Sequence, residues 1–134
     1  MIRPETNDPF VRMGKQIIEH SQLGIGVETW LEELTSLCEE TGRWCQQQAD
    51  RVRACYAVPS GSKVTLFFVP CSDSYDFDLG AELVDLNSSL VRKYNVGMVE
   101  TLQIPWDERE RFIREDTLRP VYGDASSAHR TVAT

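Results

Sequence analysis

The pattern of hydrophobic and polar positions between Lys63 and Trp106 predicts the unit around which the rest of the chain is organised. The run KVTLFFV at 63–69 is rich in β-branched and aromatic residues and predicts a strand that ends at Pro70. A helical pattern follows, and the run VGMVETLQI at 96–104 then returns to strand-like alternation. This segment therefore predicts a strand, a helix and a second strand, which a right-handed crossover makes parallel to the first.

The helix of this unit is predicted from large side chains that recur every three or four residues, as one buried helix face requires. These residues are Leu79, Leu83, Leu86, Leu90 and Tyr94. We expect Asp76 or Asp78 to cap the first turn, because a carboxylate accepts hydrogen bonds from the free backbone N–H groups there.

A longer amphipathic helix is predicted upstream, over residues 28–53. Its stripe alternates steps of four and three residues. The stripe consists of Val27, Leu31, Leu34, Cys38, Thr41, Cys45, Gln48 and Val52. Gly42 lies inside it and predicts a kink or a break, because glycine costs about 1 kcal/mol in a helix interior. Residues 54–58 then form a predicted strand that pairs with strand 63–69 as a hairpin.

The two ends of the chain are predicted to lie outside the folded domain. Residues 1–8 and 123–134 are polar or small and are expected to be disordered, which leaves one domain over 9–122. A short helix is predicted from Pro9 and another from Asp107. The sequence thus predicts an α+β fold, a two-layer sandwich. Its α-β-β-α-β core contains a small three-stranded mixed sheet, flanked by the terminal helices.

Charge and cysteine content narrow the classes of function. The net charge of −7 disfavours nucleic acid and anionic membrane surfaces, both of which are bound through excess Lys and Arg. The chain has no export signal at its start and no apolar run of about 20 residues, so we expect a cytoplasmic protein. Its four cysteines are then expected to be reduced.

Candidate chemistry is sparse. Cys71 precedes a helix whose dipole could stabilise a thiolate, but nearby carboxylates oppose this. Asp73, Asp76 and Asp78 could together hold a hard cation, although their spacing lacks the EF-hand pattern. The sequence contains no G-x-S-x-G, Walker or G-x-G-x-x-G motif. We therefore assign no catalytic residue, no metal ligand and no cofactor.

A pocket is nevertheless predicted at one edge of the sheet. Ligands commonly bind beyond the carboxyl ends of parallel strands, and both strands of the crossover unit end on the same side. The residues that follow these two ends are Cys71, Tyr75, Asp76, Trp106 and Asp107. We expect them to line a pocket together.

An interface is predicted along the long helix. Trp30, Leu37 and Trp44 flank its stripe at intervals of seven residues. In one interpretation these residues widen the buried face of the helix. In the other they form an apolar strip that binds a partner, since tryptophan is enriched at binding hot spots. The second interpretation predicts a homodimer.

Three functions follow as hypotheses. The first is a small, acidic, cytosolic protein that is not an enzyme and acts as a protein-binding or adaptor module, self-associating, with an unknown protein partner. The second is a small-ligand or divalent-metal-binding enzyme that uses the loop 71–78. The third is a peptide-binding chaperone-like protein, suggested by small size and low pI. The absence of catalytic spacing favours the first.

Overall fold

The structure is a computed structural model that describes residues 9–108, 111 and 118–123, with side chains from residue 11 onward. Helices α1, α2 and α3 span Pro9–Ser21, Val27–Gln47 and Phe77–Lys93. Strands β1, β2, β3 and β4 span Val52–Ser60, Lys63–Pro70, Met98–Gln103 and Arg119–Gly123, and a 3-10 turn covers Trp106–Glu108. Most of the last predicted helix lies outside the described residues. So do the two ends that were predicted to be disordered, except for residue 123.

The predicted α+β architecture is confirmed. The strands form one mixed sheet in the order β3-β2-β1-β4, in which β2 and β3 are parallel and the other pairs are antiparallel. Helix α3 connects β2 to β3 as the predicted crossover. The sheet has four strands, so the prediction of three was one strand short. None of the helices described here is long and apolar enough to cross a bilayer.

Strand β4 was missed because its sequence, RPVYG, resembles a loop. Pro120 cannot donate a ladder hydrogen bond, but it is tolerated at an edge strand. β4 is an edge strand that pairs with β1, and the register shifts between Cys55 and Tyr56 of β1. An irregular edge strand of five residues leaves no clear alternation in the sequence.

Helix α2 is continuous through Gly42 and ends at Gln47, six residues before the predicted end at Arg53. The chain then turns and enters β1 at Val52. Gly42 is explained by packing: a Cβ atom there would lie 3.1 Å from the carbonyl oxygen of Val121 in β4. The glycine thus lets the helix approach the edge strand closely, and no break occurs at this position in α2.

The larger hydrophobic cluster lies between the helices and one face of the sheet. Trp30 and Leu37 are fully buried in it, and the Trp30 indole Nε1–H donates a hydrogen bond to the Val96 carbonyl oxygen at 3.1 Å. Trp44 is partly buried and packs edge-on against Phe68. The predicted interface along Trp30, Leu37 and Trp44 is therefore wrong for the first two residues, which fill the core of the chain itself.

The other face of the sheet carries a smaller cluster. Tyr56, Phe67 and Val69 form it together with Ile104, which follows β3. Trp106 is partly buried and packs against the same cluster. The segment after β3 therefore crosses the face that the helices leave open, as both faces of a hydrophobic sheet require cover.

Candidate functional site

The loop between β2 and α3 lies at the carboxyl ends of the parallel strands, as predicted. The Gln103 side chain, at the end of β3, fixes this loop. Its Nε2–H donates to the Asp76 carbonyl oxygen at 2.8 Å, and its Oε1 accepts from the Asp76 backbone N–H at 3.1 Å. Asp76 also caps α3, because its Oδ1 accepts a hydrogen bond from the Leu79 backbone N–H at 3.0 Å. The loop is thus anchored to β3 and to the helix.

The pocket predicted from the sequence is lined by Cys71, Tyr75, Asp76, Trp106 and Asp107, all of which belong to the part of the chain that the structure describes. A small recess does open beside the loop, but Tyr75 is the only one of the five that lines it. The recess is lined by Pro70, Asp73, Ser74, Tyr75, Gln103, Ile104 and Pro105. Its volume is about 50 Å³. Pockets for small-molecule ligands usually measure about 300–1,000 Å³, so this recess has room for a few water molecules.

Cys71 is exposed, and its thiol lies 3.8 Å from the Ala49 carbonyl oxygen. Partial burial raises the pKa of this thiol and the Asp50 carboxylate raises it further, against a weaker opposing effect of Arg53. A catalytic cysteine needs the opposite shift, since the thiolate is the nucleophile. The electrostatics at Cys71 therefore do not activate it.

The acidic residues of the loop have separate positions. Asp76 is engaged with the helix N-terminus, whereas Asp73 and Asp78 are exposed. Within the described part of the chain, no three His, Cys, Asp or Glu side chains lie close enough to share a metal ion. The structure thus gives the loop a helix-capping role at Asp76.

Trp106 and Asp107 follow Pro105, a lining residue of the recess, but do not themselves line it. The Arg53 guanidinium sits over the Trp106 ring, 4.0 Å from the ring centroid, in a cation–π contact. Trp106 packs against the smaller cluster, and Asp107 is exposed. These contacts are typical of a packed surface segment.

A larger cleft, which the sequence did not predict, lies between α2 and β4. Its volume is about 470 Å³, and its lining includes Glu39, Arg43 and Arg119. Cys38 also reaches it, and burial raises the pKa of this thiol to about 11. The cleft is thus larger than the recess beside the loop, and both signs of charge line it.

The most distinctive exposed side chains are apolar and belong to the loop, α3 and β3. All the large hydrophobic side chains found exposed in the described residues belong to this one stretch. They are Tyr75, Phe77, Val84, Val91, Met98 and Leu102. Phe77 is 81% exposed and makes an edge-on ring contact with Tyr75 at 4.9 Å. All six fall within a stretch of 28 residues of the sequence, and exposed apolar residues that group together are typical of interaction sites.

On α3 these residues form a second stripe, which we call the outer row. It comprises Phe77, Ala81, Val84, Ser88 and Val91, and all five are exposed. The steps are four, three, four and three residues, the spacing of a helix–helix seam. The four leucines of the predicted stripe, Leu79 to Leu90, are buried on the opposite side of the helix. The leucine pattern therefore predicted the buried face of α3, whereas the exposed apolar face was not predicted from the sequence.

The exposed residues of β3 lie on the sheet face away from α3. Met98 and Leu102 alternate with Val99, which is buried in the cluster beneath the helices. Between them, Glu100 makes an ion pair with Lys63 of β2 at 3.0 Å. β3 is an edge strand of the described sheet, and edge strands are common sites of partner binding.

Comparison with protein families, curated proteins and solved structures finds no match for this chain.

Proposed function

We propose that this chain is a protein-binding module with two exposed apolar surfaces: the outer row of α3 with the adjoining Tyr75, and Met98 with Leu102 on the sheet face away from α3. The observation that carries the proposal is the concentration of exposed large apolar side chains on this one stretch, from Tyr75 to Leu102. Scattered single hydrophobic residues are normal on a protein surface, whereas a clustered set is typical of an interaction site.

The alternative of an enzyme that uses the loop 71–78 has less support. The recess beside this loop holds about 50 Å³, the Cys71 thiol has a raised pKa, and Asp76 is engaged as a helix cap. None of these features favours substrate binding or nucleophilic attack. The exposed apolar side chains, by contrast, would gain free energy from burial against a partner.

We also propose that the module works in the cytoplasm and does not bind nucleic acid. All four cysteines are free, as a reducing compartment maintains them. The net charge of −7 opposes phosphate binding. These properties fit a protein partner better than an anionic polymer.

A peptide-display selection on the immobilised chain tests the binding proposal. Peptides enriched on the original chain are measured against a variant with Met98→Lys and Leu102→Lys, and against the control Ser36→Lys on the exposed side of α2. We expect the double variant to lose binding by about tenfold or more, since each buried apolar contact contributes on the order of 1 kcal/mol. The control retains it.

A selection that yields no peptide dependent on Met98 or Leu102 contradicts the proposal.

A further inference from the structure

We propose that the occupant of the outer row is a second copy of this chain, with the two α3 helices antiparallel about a two-fold axis beside Val84. The inference rests on the proposed function and names the partner for the α3 surface. It leaves Met98 and Leu102 available, because they project from the sheet face away from α3.

The three large residues of the outer row are spaced symmetrically about Val84. Phe77 lies seven residues before it and Val91 seven residues after it. A two-fold interface requires one surface to be complementary to itself. In an antiparallel pair, Val84 meets the partner's Val84 and Phe77 meets the partner's Val91, so each large side chain faces another.

The small residues of the outer row allow the two helices to approach. Ala81 and Ser88 alternate with the larger side chains and add little bulk. Helices pack at interaxial distances of about 8–10 Å, which depend on the side chains at the contact. A row of alternating large and small residues therefore suits close helix packing.

The charges beside the row favour the antiparallel direction. Asp78 and Arg92 each follow an end residue of the row, and both are exposed with no ion pair among the described residues. An antiparallel two-fold pair puts Asp78 near the partner's Arg92 at both ends, whereas a parallel two-fold pair places Asp78 and the partner's Arg92 at opposite ends of the helices. The helix dipoles also oppose one another in the antiparallel arrangement.

Asp85 occupies the equivalent flanking position next to Val84 and is exposed. Near the two-fold axis it approaches the partner's Asp85, and like charges repel. This repulsion weakens the dimer at neutral pH. We therefore expect Asp85→Asn to lower the dimer dissociation constant by about two- to fivefold, as the loss of one exposed like-charge contact predicts.

Sedimentation velocity with charge-reversed variants tests the direction of the pairing. Asp78→Arg alone and Arg92→Asp alone each place like charges at both ends and are expected to weaken the dimer several-fold. A mixture of the two variants restores opposite charges at both ends of a heterodimer. We expect this mixture to dimerise at least as tightly as the original chain, and circular dichroism verifies that each variant is folded.

A variant at the axis tests the position of the interface. Val84→Lys brings two cations together and is expected to raise the dimer dissociation constant by about tenfold or more. The control Ser36→Lys, on α2, leaves it unchanged.

Three results overturn the inference: a chain that stays at 15.3 kDa up to millimolar concentration, a dimer insensitive to Val84→Lys, or a mixture that remains as weak as its components. None of them affects the peptide-binding test at Met98 and Leu102, so the two proposals fail separately.

Discussion

The Gln103 side chain makes two hydrogen bonds with the backbone of Asp76, one as a donor at 2.8 Å and one as an acceptor at 3.1 Å. This pairing joins the end of β3 to the residue that caps α3. The backbone N–H and carbonyl oxygen of Asp76 are both bonded to the side-chain amide of Gln103, much as paired strands bond to each other. The contact therefore holds the N-cap of α3, which immediately precedes the exposed Phe77, against the end of β3.

Replacement of Gln103 by alanine is expected to lower the free energy of unfolding by about 1–3 kcal/mol, since two hydrogen bonds of about 0.5–1.5 kcal/mol each are lost. Urea denaturation measures the change. Gln16→Ala, at an exposed position of α1, is the control and should alter the free energy of unfolding by less than about 0.5 kcal/mol. Equal values for the two variants would contradict the role given to Gln103.

A pH dependence is expected at the contact between Glu40 of α2 and Tyr94, where the tyrosine hydroxyl donates to the carboxylate at 2.8 Å. Partial burial alone would raise the pKa of Glu40, but hydrogen bonds from Tyr94 and Lys93 outweigh it and lower this pKa below its ordinary 4.5. A lowered carboxyl pKa stabilises the fold above the unfolded-state value, and this stabilisation is lost as pH falls through the folded-state value.

The same contact also makes stability depend on pH in the alkaline range, where the stabilisation is lost as pH rises rather than as it falls. Burial and the hydrogen bond to Glu40 raise the pKa of Tyr94 from 10.0 to about 12. The neutral phenol is therefore favoured in the folded chain, and its contribution is complete below pH 10 and declines as pH rises toward 12.

Tyr94→Phe should reduce stability most at neutral pH and progressively less below pH 4.5 and above pH 10. Urea denaturation across pH measures this, with Tyr122→Phe as the control. A Tyr94→Phe effect that is constant with pH would rule out the coupling.

The exposed thiol should react much faster than the three buried thiols in the folded chain. Cys38, Cys45 and Cys55 are buried and Cys71 is exposed. An aromatic disulfide reagent is expected to modify one thiol quickly in the folded chain and all four only in denaturant. Cys71→Ser removes the fast reaction. Because the pKa of Cys71 is raised, its modification should increase with pH over a higher range than that of an unstructured cysteine peptide. A second fast thiol in the Cys71→Ser chain would show that the core opens readily.

Strands β2 and β3 and helix α3 could be predicted because each is determined by the composition and spacing of residues close together in the sequence. The run 63–69 is rich in strand formers, the leucines from Leu79 to Leu90 follow a helical period, and Asp76 is a strong capping residue. The chain between two parallel strands then has one favoured handedness. These features require no knowledge of distant residues.

The candidate site could not be predicted in the same way, because it depends on which face of an element another element covers. Trp30 and Val84 are both large apolar residues on helices, yet the first fills the core and the second is 64% exposed. The sequence offered one signal, the steps of four and three along the outer row. Gln103 gave none, since its partner is the backbone of Asp76.

The most direct measurement of the outer row as a self-docking surface is disulfide trapping at its centre. Val84→Cys, in a chain that also carries Cys71→Ser, places two thiols at the proposed axis. Cross-linking requires Cα atoms within about 7 Å, which a facing pair of closely packed helices provides. Ser36→Cys in the same background is the control, exposed on α2.

Under mild oxidation, we predict rapid and nearly complete dimer formation for Val84→Cys and slow, concentration-limited dimer formation for Ser36→Cys. Equal and slow rates for the two variants would show that the outer row does not bind a second copy.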